Sequence, residues 1–147
     1  MSDLIEFTAP QLQPCLTVTF ILAYAQQVLV EKFDVLRFLR ITLPTATAIC
    51  CHTDIVHIHP LPKGEHRGTR YVWVHTNIRP WGHQLPVQCP KCWCIRPWVS
   101  TSQPLGEFFA CEHCNHRLPT FSPPEQEHNQ FGGPVSRGRW LTFEHLS

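Results

Sequence analysis

The chain has 147 residues, 43% of them hydrophobic, and its 12 basic and 11 acidic side chains leave a formal net charge of +1. That length suits one ordinary domain, or a small module with a helical appendage, and argues against a second full domain. So balanced a charge excludes a strong whole-chain field for steering onto nucleic acid or an anionic membrane, and any such partner has to be gripped locally.

Met1 to Pro10 lack the basic start, compact apolar run and small-residue cleavage site of a secretory signal. The expectation is an intracellular protein, with nucleus and cytoplasm equally open. Eight cysteines in a reducing compartment point to metal binding rather than to a disulfide framework.

The one long stretch without proline, Cys15 to Leu43, carries Leu16, Phe20, Val28, Leu29, Phe33, Leu36 and Leu39 largely at helical spacing. It predicts a single amphipathic helix, so residues 1–43 form an N-terminal helical segment. The apolar part, Thr17 to Val30, falls short of the roughly 20 residues that span a bilayer, which favours a packed or partner-facing helix over a membrane anchor.

Pro44 stops that helix, and residues 44–48 read as an extended linker. Beyond it, Ile49 to His59 and Arg70 to Thr76 are rich in β-branched and aromatic residues. They predict two strands, joined as a hairpin by the turn-forming run from Pro60 to Gly68. Residues 49–121 then form a β-rich module, and residues 122–147 a mostly irregular tail. Within that tail, Arg139 to Phe143 return as a short strand. The fourteen prolines, spread along the chain, limit long elements everywhere else.

Cys89 and Cys92 form one C-x2-C pair and Cys111 and Cys114 another, with 18 residues between them. Two residues between cysteines let a tight turn aim both sulfurs at one point, and two such turns complete a tetrahedron around Zn²⁺. Ile95 to Ser100 and Phe108 to Ala110, joined through Pro104 and Gly106, predict the hairpin that brings the turns together. Four thiolates leave no open position for water, which makes the expected cofactor one structural zinc rather than a catalytic one.

In these paired knuckles, from Gln88 to Leu118, the chain resembles the zinc-ribbon family. The resemblance implies a metal-held scaffold, and with the helix read from the spacing of Leu16 to Leu39 the expected fold is α+β: a small, mainly-β, zinc-ribbon-like C-terminal region after one long N-terminal helix. Ribbons often carry glycine after a knuckle, where a left-handed backbone is useful. Here Trp93 and Asn115 follow instead, so a distorted first knuckle is expected, with Cys94 competing with Cys92; His113 and His116 beside the second knuckle read first as exposed or supporting histidines, and secondly as substitutes for a cysteine. A longer string, Cys51 to Val56, Val74-His75, Arg79 to Gly82 and the first knuckle, resembles uncharacterised proteins of mushroom-forming fungi. It implies a lineage-restricted protein, a fragment or shortened relative of something larger, and supplies no catalytic residues.

Cys50, Cys51, His52, Asp54, His57 and His59 crowd within ten residues, and His57 and His59 project from one face of a strand. A second metal site is one reading of that cluster, and packed residues are the other. As a catalytic trio, Cys51, His52 and Asp54 are badly placed, because strand neighbours point to opposite faces.

Between Lys63 and Arg117 seven basic residues face three acidic ones, and four thiolates around Zn²⁺ reduce that excess to about two. Arg79, Trp81, Lys91, Arg96 and Trp98 are the candidate contacts for nucleic acid or another partner, since tryptophans beside arginines stack bases. Tryptophans near a small zinc hairpin equally supply the core that the metal alone cannot. The resulting expectation is a binding or scaffold module for a protein partner. Single-stranded nucleic acid is the alternative partner, and a metal- or cysteine-dependent enzyme comes third. No catalytic residue, membrane partner or small-molecule substrate is evident.

Overall fold

The computed structural model describes residues 3–10, 12–95, 97–103, 106–126, 128–132 and 138–146. The fold is mixed α+β. Among the described residues seven strands, all paired antiparallel, divide into two sheets. The larger runs in the order β1-β2-β3-β7-β6, built from β1 (Leu4–Phe7), β2 (Ile55–Pro60), β3 (His66–Val74), β7 (Arg139–Leu146) and β6 (Asn129–Gly132). The smaller pairs β4 (Trp98–Gln103) with β5 (Gly106–Cys111) and lies in the long excursion between β3 and β7.

The long N-terminal helix expected over Cys15 to Leu43 is divided in two. Helix α1 (Pro14–Tyr24) widens into a π-helical turn, Ala25–Val30, and ends where the Glu31 amide donates to the Gln26 carbonyl and Lys32 takes a left-handed φ of 61°. Asp34 then caps α2 (Val35–Thr42) by accepting from the amides of Leu36 and Arg37. The periodicity continued across this point, but an aspartate that satisfies two otherwise unpaired amides stabilises a new helix start by about 1 kcal/mol.

Two further expectations change at the start of the β-rich region. Residues 43–45 form a 3₁₀ turn and Thr47–Cys50 a short helix, α3, where an extended linker and a strand were expected. Strand β2 begins only at Ile55, because Thr53 and Asp54 are engaged by the segment that follows β1: the Ala9 amide donates to Thr53 Oγ1, and the Asp54 amide to Thr8 Oγ1. The hairpin of β2 and β3 forms as expected, with Ile55 opposite Tyr71 and Pro60 opposite His66. In the tail, β7 is central rather than peripheral, flanked by β3 and by an unforeseen β6.

The alternation of each strand decides the core. Ile55, Tyr71, Trp73 and Trp140 share one sheet face with Ile5, Phe7 and Phe131, and meet Phe20, Val35, Phe38, Leu39, Leu43 and Ile49 from the helices. Trp140, fully buried, donates its indole N–H to the Leu43 carbonyl at 2.9 Å, closing the end of α2. The opposite face carries a smaller cluster, Val72, Val74, Leu141 and Phe143, against which Trp81 packs. Gly82, with φ of 89°, is required there: a Cβ would lie 2.4 Å from the Val72 side chain.

Candidate metal centre

The two cysteine turns sit at the ends of the small hairpin, and their backbones are built alike. In the first, the Cys89 amide donates to the Cys94 carbonyl and the Trp93 amide to the Cys89 carbonyl, both at 2.9 Å. In the second, the Cys111 amide donates to the His116 carbonyl at 2.8 Å and the Asn115 amide to the Cys111 carbonyl at 2.9 Å. Trp93 and Asn115 occupy equivalent left-handed positions, with φ of 63° and 56°. The first knuckle is therefore not distorted. Trp93 accepts a conformation that costs an L-residue about 1–2 kcal/mol, and its side chain, 70% exposed, gains little packing in return.

Register brings the turns together: Trp98 lies opposite Cys111, and the Glu112 amide donates to the Pro97 carbonyl at 2.8 Å. All four sulfurs lie within 4.8 Å of one another, with Cys89 to Cys114 at 3.7 Å and Cys92 to Cys111 at 3.5 Å. Cys89 and Cys111 are fully buried, while Cys92 and Cys114 are half-buried. This set can hold a metal ion. Cys94 contributes its backbone carbonyl to the first turn, and neither its sulfur nor His113 nor His116 belongs to the converging set.

The thiols influence one another strongly. Burial raises Cys89, but amide hydrogen bonds from Cys92 and Lys91, with those from the Cys114 and Cys92 thiols, bring it down to about 7. At Cys114 the His116 amide acts to lower the value and is outweighed by burial and by the thiols of Cys92, Cys111 and Cys89, which push it up to about 12. Four sulfurs so close cannot all ionise unaided, and a cation is what would let them do so.

No protein family, curated protein or solved structure matches this chain.

The other expected residues scatter. Arg79 is buried, not surface-borne: it donates from Nη2 to Asp54 Oδ1 at 2.6 Å, from Nη1 to the Cys50 carbonyl at 3.1 Å, and from Nε to the Gly82 carbonyl at 3.1 Å. Arg70 completes the cluster from the solvent side, donating to Asp54 Oδ2. Trp81 is half-buried against the second core, and Trp98 is half-buried with its indole N–H donating to the Pro86 carbonyl at 2.6 Å. Lys91 is exposed, and Arg96 lies outside the described residues.

The crowded run from Cys50 to His59 also separates. His52 accepts from the Gln13 amide at 3.0 Å and Asp54 is held by arginines, so neither serves Cys51. Cys51 instead lies 3.7 Å from Cys50 and opens onto a cleft of about 450 Å³ beside Asn77 and Trp98. The Cys50 thiol, with help from Arg79 and against burial, brings Cys51 down to about 7. His57 and His59 meet Asp3, a residue the sequence did not single out. The available signal was the apolar alternation around Glu6, which places Ile5 and Phe7 on one strand face. Among the described residues no helix is long and apolar enough to cross a membrane.

Proposed function

We propose that Cys89, Cys92, Cys111 and Cys114 hold one structural Zn²⁺, and that the zinc-ribbon-like hairpin it closes belongs to a binding or scaffold module for a protein partner. The observation that carries the metal reading is the sulfur spacing of 3.5 and 3.7 Å. A tetrahedron with Zn–S bonds of about 2.3 Å has edges of about 3.8 Å. Four thiolate ligands fill the coordination sphere, which favours a structural role over a catalytic one.

The protein-partner reading draws on α1. Its sequence is apolar on every side, a pattern that belongs to helices covered all round. Only Thr17 and Phe20 are buried, while Val18, Ile21 and Leu22, with Leu29 of the following turn, are exposed. On the hairpin, Trp93, Ile95 and Val99 add exposed apolar surface. Burial of Arg79 weakens the nucleic-acid alternative, because it removes one of the cations assigned to that face.

Elemental analysis of protein prepared without chelator tests the metal: about one tightly held equivalent of zinc is expected. Metal-free protein with four freely reactive thiols would overturn it. A titration of single-stranded oligonucleotide at low and at physiological salt tests the partner class. No binding is expected; salt-sensitive binding that Lys91→Ala weakens would replace the protein-partner reading with the nucleic-acid one.

A further inference from the structure

The geometry points to a second metal site, formed by Asp3, His57 and His59, that takes a divalent transition-metal ion and keeps coordination positions open toward a cavity. Strand β2 places His57 and His59 two residues apart, on the face shared with Ile55. Strand β1 pairs with it so that Ile5 lies opposite His57 and Leu4 opposite Ile58, and one further step brings Asp3 alongside His59. Its Oδ1 accepts from His57 Nε2 at 3.0 Å and from His59 Nδ1 at 2.6 Å. The three ligand atoms all lie within 4.8 Å of one another.

Two neutral imidazoles and one carboxylate are a ligand set suited to zinc and other late first-row divalent ions, and three protein ligands leave room for water. In the hydrogen-bonded state one carboxylate oxygen receives an N–H from each ring; when each neutral ring moves that proton to its other nitrogen, an ion between them takes the place of the two N–H contacts and the carboxylate keeps its charge. The exposure gradient is that of an accessible site on a fixed base. His57 is 2% exposed and held within the sheet, Asp3 is 27% exposed, and His59 is 52% exposed.

Both histidines line a cavity of about 640 Å³ on the helix-bearing face of the sheet, together with Arg40, Arg67, Tyr71 and Glu144. A water on the metal would face that space. Two arginines there favour its exchange for a small anion. The site differs from the cysteine centre in every respect that governs reactivity: its ligands are nitrogen and oxygen, its shell is incomplete, and it is open to solvent.

Titration of the full chain with Co²⁺, after zinc loading and removal of loosely held metal, tests the assignment. The expected result is one saturable added equivalent with d–d absorption and no sulfur-to-cobalt charge transfer. His59→Ala and Asp3→Asn should each weaken it by at least about tenfold. Retention of the parent far-ultraviolet circular dichroism in His59→Ala, a half-exposed position, separates lost ligation from lost folding. The absence of a saturable equivalent overturns the site, as does binding that both substitutions leave unchanged. Charge transfer belongs to the cysteine centre, so its presence or absence reports on that centre separately and leaves the histidine result standing.

Discussion

Between the five-stranded sheet and its helices, Trp140, Ile55, Phe38, Leu39 and Leu43 are all fully buried, whereas the cysteine hairpin buries Phe109 and two of its four converging cysteines and leaves Trp93, Ile95 and Val99 exposed. A sheet covered by three helices can be held by apolar area, at about 25 cal/mol per Å² removed from water. A two-stranded ribbon has no such area and needs a staple. On the proposed metal reading the two regions of one chain are stabilised by different physics, and each should fail under a different insult.

The largest effect is expected from removing a ligand of the hairpin. Cys111→Ser forfeits much of a metal contribution on the order of 10 kcal/mol in isolated zinc modules. Hydrogen exchange should show amides between Cys89 and Leu118 losing protection while those of β3 and β7 keep theirs. Equal loss across both regions would mean that they fold as one unit. Cys15→Ser, at an exposed position outside the site, should be nearly silent.

Trp140→Ala probes the other half. Truncating a fully buried tryptophan costs about 3–5 kcal/mol, and here it also removes the indole hydrogen bond to the Leu43 carbonyl, which keeps only the Ala46 amide as donor. Thermal melting should fall steeply while the metal content per chain stays constant. Arg79→Met is expected to cost a similar or slightly smaller amount, about 3 kcal/mol, because it removes the buried partner of Asp54, itself 2% exposed, and leaves the outer Arg70 to pair with it. The double substitution Arg79→Met with Asp54→Leu should recover part of that loss, which denaturant unfolding of both variants would measure.

The smallest effect is expected at the first knuckle. Asn115 already occupies the left-handed position of the second turn, and asparagine adopts that conformation more readily than tryptophan. Trp93→Asn should therefore stabilise the hairpin by up to about 1 kcal/mol, seen as a higher melting temperature of the metal-loaded protein.

How legible each region was follows from the range of the contacts that specify it. The cysteine hairpin was readable because two residues between ligands and a turn between strands are local facts. The main sheet was only partly readable. The β2–β3 hairpin announced itself, but the pairing of β1 with β2 joins Phe7 to Ile55, and the pairing of β3 with β7 joins Val74 to Arg139. No periodicity records which strands meet across such distances. Arg79 illustrates the same limit on the scale of one side chain. As a charge beside Trp81 it reads as surface, and its burial depends on Asp54, 25 residues earlier. Asp3 escaped notice because its meaning lies wholly in the strand opposite.

The central position of β7 has a consequence for how the chain is made. Its neighbour β3 ends at Val74 and β7 begins at Arg139, so on the ribosome β3 waits on the order of several seconds before its partner is synthesised. During that interval one edge of the β1-β2-β3 sheet is unpaired, with Trp73 and Tyr71 awaiting Trp140 and Phe131, which join their face from β7 and β6. The segment released in the meantime contains all four converging cysteines. A nascent chain supplied with metal can thus close its small hairpin before its large sheet, and the interval before β7 emerges is when the polypeptide most needs protection from pairing with another copy.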